Sequence, residues 1–174
     1  MTQNLRLTGS RTLTPANSDV SSNWTLSATN TSFPTSCVNT AYNMDSGNTT
    51  YGNYYNWYAA TAGTGTCSMS SGNATASICP KGWRLPTGSS SGEFQALYNQ
   101  YASSALMQGD PGFVLSGYRG GSSTNSQGSV GYYWSSTAYS ANNAFNLYLS
   151  SSGVNPASSV NDRYLGFPVR CLAE

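Results

Sequence analysis

Histidine is absent from all 174 residues, and this one gap removes the usual general base, the side chain that titrates near neutral pH and the commonest transition-metal ligand. Charge is nearly as scarce. Charged residues make up 7% of the chain and the formal net charge is +1, so there is neither a basic stripe for nucleic acid nor an acidic tail, and recognition has to be mostly neutral. No stretch of 18 apolar residues occurs, which excludes a membrane-spanning helix and argues against direct membrane insertion. The opening MTQNLRLTGS lacks the apolar core of a signal peptide. No CxxC spacing is present, and without histidine the four cysteines (Cys37, Cys67, Cys79 and Cys171) are expected to form disulfides, in one of three pairings, rather than a zinc site. No cofactor and no metal are expected.

Aromatic residues are plentiful by contrast. At 13% of the chain, with four tryptophans, they set it apart from the disordered sequences that low charge and abundant Ser, Asn and Gly would otherwise suggest. The length fits one domain spanning residues 1–174. Residues 115–171 are crowded with Ser, Asn, Tyr and Gly, the palette of a binding surface. Tyr gives rigid amphipathic contact at low entropy cost, and the small polar residues hydrogen-bond adaptably. Residues 1–114 are then mainly scaffold.

Along the chain, NLRL at 4–7 alternates so that Leu5 and Leu7 share one face of a short strand. Residues 12–36, with Pro15 and Pro34, read as a long irregular crossing anchored by Trp24. Tyr54, Trp57 and Tyr58 stand at helical spacing and predict a short helix with a core-facing aromatic side. A Cys37–Cys67 bridge would close this segment and restrain the unfolded chain by roughly 3 to 4 kcal/mol. The run ICPKGWRLPT at 78–87 predicts a fixed turn with a buried Trp83. Ser90 and Glu93 have capping-box spacing, followed by Phe94, Leu97, Tyr98 and Tyr101 on one helix face.

Asp110-Pro111-Gly112 predicts a turn that launches a strand over 113–118. In 142–150 the period is two, with Phe145, Leu147 and Leu149 inward and Asn146 and Tyr148 outward. Residues 151–156 connect hairpin-like strands, with Gly153 available for a positive φ. In 166–172, Phe167, Val169 and Cys171 face inward and Arg170 outward. The sequons at Asn23, Asn30, Asn48 and Asn73 read as chance matches in so Ser/Thr-rich a chain.

ICPKGWRLPT followed by a helix, then SGYRGGS, YYWSST and GFPVRC, resembles the Fibrobacter succinogenes major paralogous domain over most of the chain. The same elements resemble the formylglycine-generating-enzyme type of C-type lectin-like fold, at Arg84 to Thr87, Arg119 to Ser122 and Gly166 to Val169. That group includes the variable proteins of diversity-generating retroelements. The resemblance implies an α+β, C-type lectin-like fold with a small twisted antiparallel sheet, two helices, long irregular loops and paired N- and C-terminal strands. It also implies a Cys79–Cys171 disulfide, structural hydrogen-bonding roles for Arg119 and Arg170, and family members that begin upstream of MTQNLRL. The Ser/Asn/Tyr bias between Tyr118 and Tyr164 resembles adenine-targeted diversification; an ordinary surface-module paralogue is the alternative.

The leading reading is a non-catalytic, extracellular or cell-surface binding module that takes a protein or glycan ligand on another cell or phage surface. Its candidate residues are Tyr118, Arg119, Asn125, Tyr139, Asn142, Asn143, Asn146, Tyr148, Asn161, Asp162, Arg163 and Tyr164. Tyr would supply contact area, Asn hydrogen bonds, and Arg119 or Arg163 a hot spot. A formylglycine-generating-type oxidase is a rival that needs a reactive thiol pair. A calcium-dependent lectin is another, which needs clustered carboxylate and amide oxygens, whereas the six acids are scattered and the EPN, QPD and WND motifs are missing.

Overall fold

The computed structural model describes residues 3–7, 11–13, 24–26, 44–48 and 50–174. Its elements are β1 (Arg11–Leu13), β2 (Trp24–Leu26), β3 (Met44–Asn48), β4 (Gly52–Tyr55), α1 (Trp57–Ala60), β5 (Gly72–Asn73), β6 (Trp83–Arg84), α2 (Glu93–Tyr101), α3 (Ser104–Gln108), β7 (Tyr118–Gly120), β8 (Ser123–Asn125), β9 (Val130–Ala138), β10 (Asn143–Ser150), β11 (Val154–Asn155), β12 (Val160–Asp162) and β13 (Leu172–Ala173). Among the described residues this is a mixed, sheet-rich architecture with antiparallel pairing and three short helices, one more than the sequence predicts. The central sheet runs β11-β10-β9-β5, with β12 also on β10; β1–β2, β3–β4, β7–β8 and β6–β13 are separate two-stranded pairs.

The sheet is organised by β9 and β10, whose register sets Leu147 against Tyr133 and Tyr148 against Tyr132. Alternation then sends successive side chains to opposite faces, and both faces are packed. On one, Tyr133, Leu147 and Leu149 meet Phe94 of α2, Met107 of α3 and Phe113. On the other, Trp134 meets Trp57, Tyr58, Phe167 and Val169. The buried indoles keep their N–H groups satisfied: Trp57 donates to the Ser135 carbonyl and Trp134 to that of Tyr55, each at 2.8 Å. Tyr54, Trp57 and Tyr58 are core aromatics as predicted, although Tyr54 lies in β4, ahead of the helix.

The YYWSST run contains an irregularity that sequence alternation does not reveal. Between the pairs Trp134–Asn146 and Ala138–Ala144, three residues of β9 oppose the single Phe145. The serine and threonine content of this stretch suits the bulge. Ser135 Oγ donates to the Phe145 carbonyl and accepts from Thr137 N–H, and Ser136 N–H donates to the Pro86 carbonyl. The bulge leaves Phe145 only half-buried, not inward like Leu147 and Leu149.

The two ends of the described chain meet. Leu5 and Leu7 are buried on one face, and Leu5 N–H donates to the Val169 carbonyl at 2.9 Å. The Cys79–Cys171 disulfide is present, with Cα atoms 5.8 Å apart, beside the β6–β13 pair. Cys67 is also disulfide-bonded; Cys37, its expected partner, lies outside the described residues, as do Asn23, Asn30, Met1, most of the 12–36 crossing and the Trp24 side chain.

Several local expectations are corrected. Arg170 does not point outward: it is buried over the Phe113 ring at 4.6 Å and donates to Asn4 Oδ1 and to the carbonyls of Pro111 and Gly112. Residues 113–117 are not a strand, because the Tyr133 hydroxyl donates to the Val114 carbonyl and accepts its N–H in the place of a partner strand. Ser90 does not cap α2. Thr87 Oγ1 accepts Glu93 N–H at 3.0 Å while Glu93 Oε2 accepts Thr87 N–H at 2.9 Å, a reciprocal pair six residues apart. The backbone folds back tightly to permit this, since a Cβ on Gly92 would fall 2.3 Å from the Gly88 carbonyl oxygen. Gly153 has no positive φ; its carbonyl closes the β10–β11 turn by accepting Ser150 N–H.

Candidate binding face

Where β9 and β10 run beyond Trp134, the face opposite α2 carries Tyr132 and its cross-strand partner Tyr148, with ring centroids 5.2 Å apart and planes at 55°. The β7–β8 hairpin brings Tyr118 against Tyr132 from the other side, at 5.7 Å and 88°. These three rings form a ridge. Beneath it Tyr132 stacks on Phe167 at 4.8 Å, and Phe167 on the buried Trp134 at 4.2 Å, so the half-buried rings are the end of an aromatic column rooted in the core.

All three tyrosines are half-buried, and among the described residues none of their hydroxyls has a hydrogen-bond partner. Burial, then the proximity of Tyr148 and Tyr118, pushes the Tyr132 phenol above its ordinary pKa, so it stays a neutral donor. Asn125, the register partner of Tyr118, and Asn155, that of Tyr148, flank the rings.

A second polar cluster occupies the other end of β10, about 17 Å from Tyr148 at strand spacing. Asn143 Nδ2 donates to Asp162 Oδ1 at 2.9 Å, and the Tyr164 hydroxyl to Asp162 Oδ2 at 2.8 Å. That hydrogen bond, with some burial, raises the Tyr164 pKa. Asn161 pairs with Ala144, Asn142 is exposed, and Tyr139 is 56% exposed with its ring edge-on to Phe145 at 5.3 Å.

The twelve candidate residues therefore do not form one surface. Tyr118, Asn125 and Tyr148 group at the ridge, whereas Tyr139, Asn142, Asn143, Asn161, Asp162 and Tyr164 gather at the far cluster. Two are not on display at all. Arg163 is fully buried: it lies 4.3 Å over the Trp57 ring and donates to the carbonyls of Thr66, Met69, Ser140 and Asn143. Burial lowers its pKa, with Tyr58 opposing.

Asn146 is 1% exposed, because the outward face at its level is covered. Its Oδ1 accepts from Ser159 Oγ at 2.8 Å, and its Nδ2 has no hydrogen-bond partner among the described residues. Arg119 is half-buried in a framework position, exchanging backbone hydrogen bonds with Gly166 and donating to Thr124 Oγ1. Sequence reasoning missed Tyr132. Its signal was available, since two-residue spacing places it on the face of Trp134, but its partner depends on the β9–β10 register.

A recess of about 470 Å³ on the opposite side runs between α2 and the C-terminal segment, lined by Phe94, Leu97, Tyr101, Phe113 and Leu172. Most of these residues belong to the helix-side core. The RLPT segment borders it as a lock, with Arg84 donating two hydrogen bonds to the Glu93 carboxylate at 2.6 and 2.5 Å. That ion pair holds the Glu93 carboxyl below its ordinary pKa.

No curated protein and no solved structure matches this chain. The family model described as the Fibrobacter succinogenes major domain matches residues 1–110, which include the RLPT lock and all of α2 and end ahead of the tyrosine ridge. With more than half of its 174 residues matched, the chain belongs to the Fibrobacter succinogenes major domain family.

Proposed function

We propose that this chain is a non-catalytic display module that binds a protein or glycan on another cell or phage surface through the ridge of Tyr118, Tyr132 and Tyr148. One observation carries the reading: three half-buried tyrosines in mutual ring contact stand on an aromatic column that ends on a buried tryptophan. Rings held this way lose little freedom on binding, so more of their contact energy appears as affinity. We further propose that the fold is C-type lectin-like, which the meeting of Leu5 with Val169 and the Cys79–Cys171 bridge support. An extracellular or cell-surface site is in keeping with that disulfide.

The non-catalytic reading is favoured over an oxidase because no cysteine is free among the described residues. Thiol counting on the native protein should find none, and two labile thiols would favour the oxidase. A calcium lectin is disfavoured because both Asp162 oxygens already accept protein hydrogen bonds; calcium calorimetry should show no binding heat.

The ridge and the far cluster fall in the part of the chain beyond the family match, and we propose that this part varies between copies as in retroelement variable proteins. A near-copy of the gene differing mainly at adenine positions, beside a reverse transcriptase, is the expected finding. Its absence would favour an ordinary paralogue. Binding itself is tested by probing glycan and protein arrays with the wild type and with a Tyr118→Ala/Tyr148→Ala variant. Signals should fall about tenfold or more, and unchanged signals would overturn the proposal.

A further inference from the structure

A recess of about 220 Å³ lies where the two ends of the described chain meet, between the N-terminal segment, the β3–β4 turn, residues 112–114 and the C-terminal segment. Its polar side chains are those of Gln3, Asn4, Arg6, Thr50 and Arg170, and among the described residues no carboxylate lines it. We propose that this recess is a binding site for a phosphate group. It is separate from the tyrosine ridge. Arg170 packs over Phe113 and 5.9 Å from the Tyr133 ring centroid, against the helix-side core, whereas Tyr132 stands on the other face of the sheet.

The fold holds both arginines at this place. Leu5 and Leu7 are buried, and alternation turns Arg6 outward between them. Leu5 N–H donates to the Val169 carbonyl, and the Asn53 carboxamide donates to the Leu7 carbonyl at 2.6 Å, so the backbone is tied on either side of Arg6. Arg6 itself is exposed, and among the described residues it has neither an ion pair nor a hydrogen bond. Arg170 is 3% exposed, with Nε donating to Asn4 Oδ1 at 2.6 Å and the terminal nitrogens to the Pro111 and Gly112 carbonyls. Asn4 is fixed in turn: its Nδ2 donates to the Tyr51 carbonyl at 2.7 Å, and a Cβ on Gly52, at φ 82°, would fall 2.6 Å from its own Cβ. The wall is rigid, and the rim carries an uncommitted cation.

Charge selects the ligand. Guanidinium groups stay protonated in proteins, so two positive charges line one small space. A phosphate monoester carries close to two negative charges at neutral pH on three acceptor oxygens, and arginine forks donate to such oxygens in pairs. A carboxylate brings one charge and leaves one guanidinium unmatched; a neutral sugar or peptide leaves both. The recess is also smaller than the roughly 300 to 1,000 Å³ of sites for drug-sized ligands, which suits a single charged group with its carrier outside.

The test uses the isotope-labelled full chain, titrated with inorganic phosphate at about pH 7.5, where phosphate is mostly dianionic, and separately with acetate at equal ionic strength. Phosphate should saturably shift the amide signals of residues 3–6, 52 and 112–114 and the Arg6 Nε signal, and acetate should not. Arg6→Gln should weaken phosphate binding about tenfold with an unchanged unfolding midpoint, because the side chain makes no hydrogen bond or ion pair in the fold. Lys81→Gln, which removes an exposed cation outside the recess, should leave binding as it was. Acetate acting as strongly as phosphate, undiminished binding by Arg6→Gln, or an equal loss in Lys81→Gln would overturn the proposal. Glucose 6-phosphate identifies the carrier: tighter binding than inorganic phosphate supports a phosphorylated sugar at the site, and equal binding supports free phosphate.

Discussion

Arg163 is the residue whose role changes most between sequence and structure. In NDRYLGFPVRC it reads as a surface hot spot, because arginine is rarely fully buried. In the fold its guanidinium ties the carbonyls at 66, 69, 140 and 143 together over Trp57. Four acceptors converging from distant segments cannot be read from a linear pattern. Arg163→Ala should therefore destabilise the protein by about 3 to 5 kcal/mol, leaving buried carbonyls unpaired, and Arg163→Lys should recover only part of this because a point charge lacks the planar fork. Denaturant midpoints would check both.

Glu93 makes the pH-dependent counterpart. Its carboxyl is held below the usual value of 4.5, chiefly by Arg84 and also by Thr87, so the stabilisation is fully present above that value and is lost as pH falls through the depressed one. The pair is partly exposed, which limits the effect to about 1 kcal/mol. Thermal melts from pH 6 down to about 3 should show a fall in the wild type that Glu93→Gln lacks.

At the scale of elements, α2 was the most legible, since the spacing of Phe94, Leu97, Tyr98 and Tyr101 places the buried and half-buried residues where they are found. Its ends were not. The N-terminus is capped from Thr87, outside the local window, and the C-terminus is Ala102 in the left-handed region at φ 54°, where no glycine marks it. Ala102 is exposed and strained for a side chain, so Ala102→Gly should stabilise the protein by about 0.5 to 1 kcal/mol, measurable as a raised denaturant midpoint.

The β9 bulge is the other element that alternation could not foresee. It explains why Phe145 is half out. Asn146, on the face expected, is lost from display because the fold covers that end of the sheet. The period-two count correctly separated Leu147 and Leu149 from Tyr148, but Tyr132 became visible only through the β9–β10 register.

At the scale of the molecule, the Cys79–Cys171 disulfide and the meeting of the ends of the described chain are long-range ties. Cys79 and Cys171 are 92 residues apart, and a loop of that size restrains the unfolded chain by roughly 4 to 5 kcal/mol. A Cys79→Ser/Cys171→Ser variant should lose stability of that order, read from denaturant curves, with the ridge losing affinity only as the fold loosens. The family match covers residues 1–110 and stops before β9 and β10, the strands that organise the central sheet.

The central claim is that the rings of Tyr118, Tyr132 and Tyr148 are the contact surface. Per-residue tyrosine nitration, compared by mass spectrometry with and without a ligand selected on the arrays, tests it directly. The account predicts protection at those three rings with Tyr98 and Tyr101 on α2 reacting unchanged. Protection on α2, or a bound ligand that leaves all three ridge tyrosines as reactive as before, would contradict it.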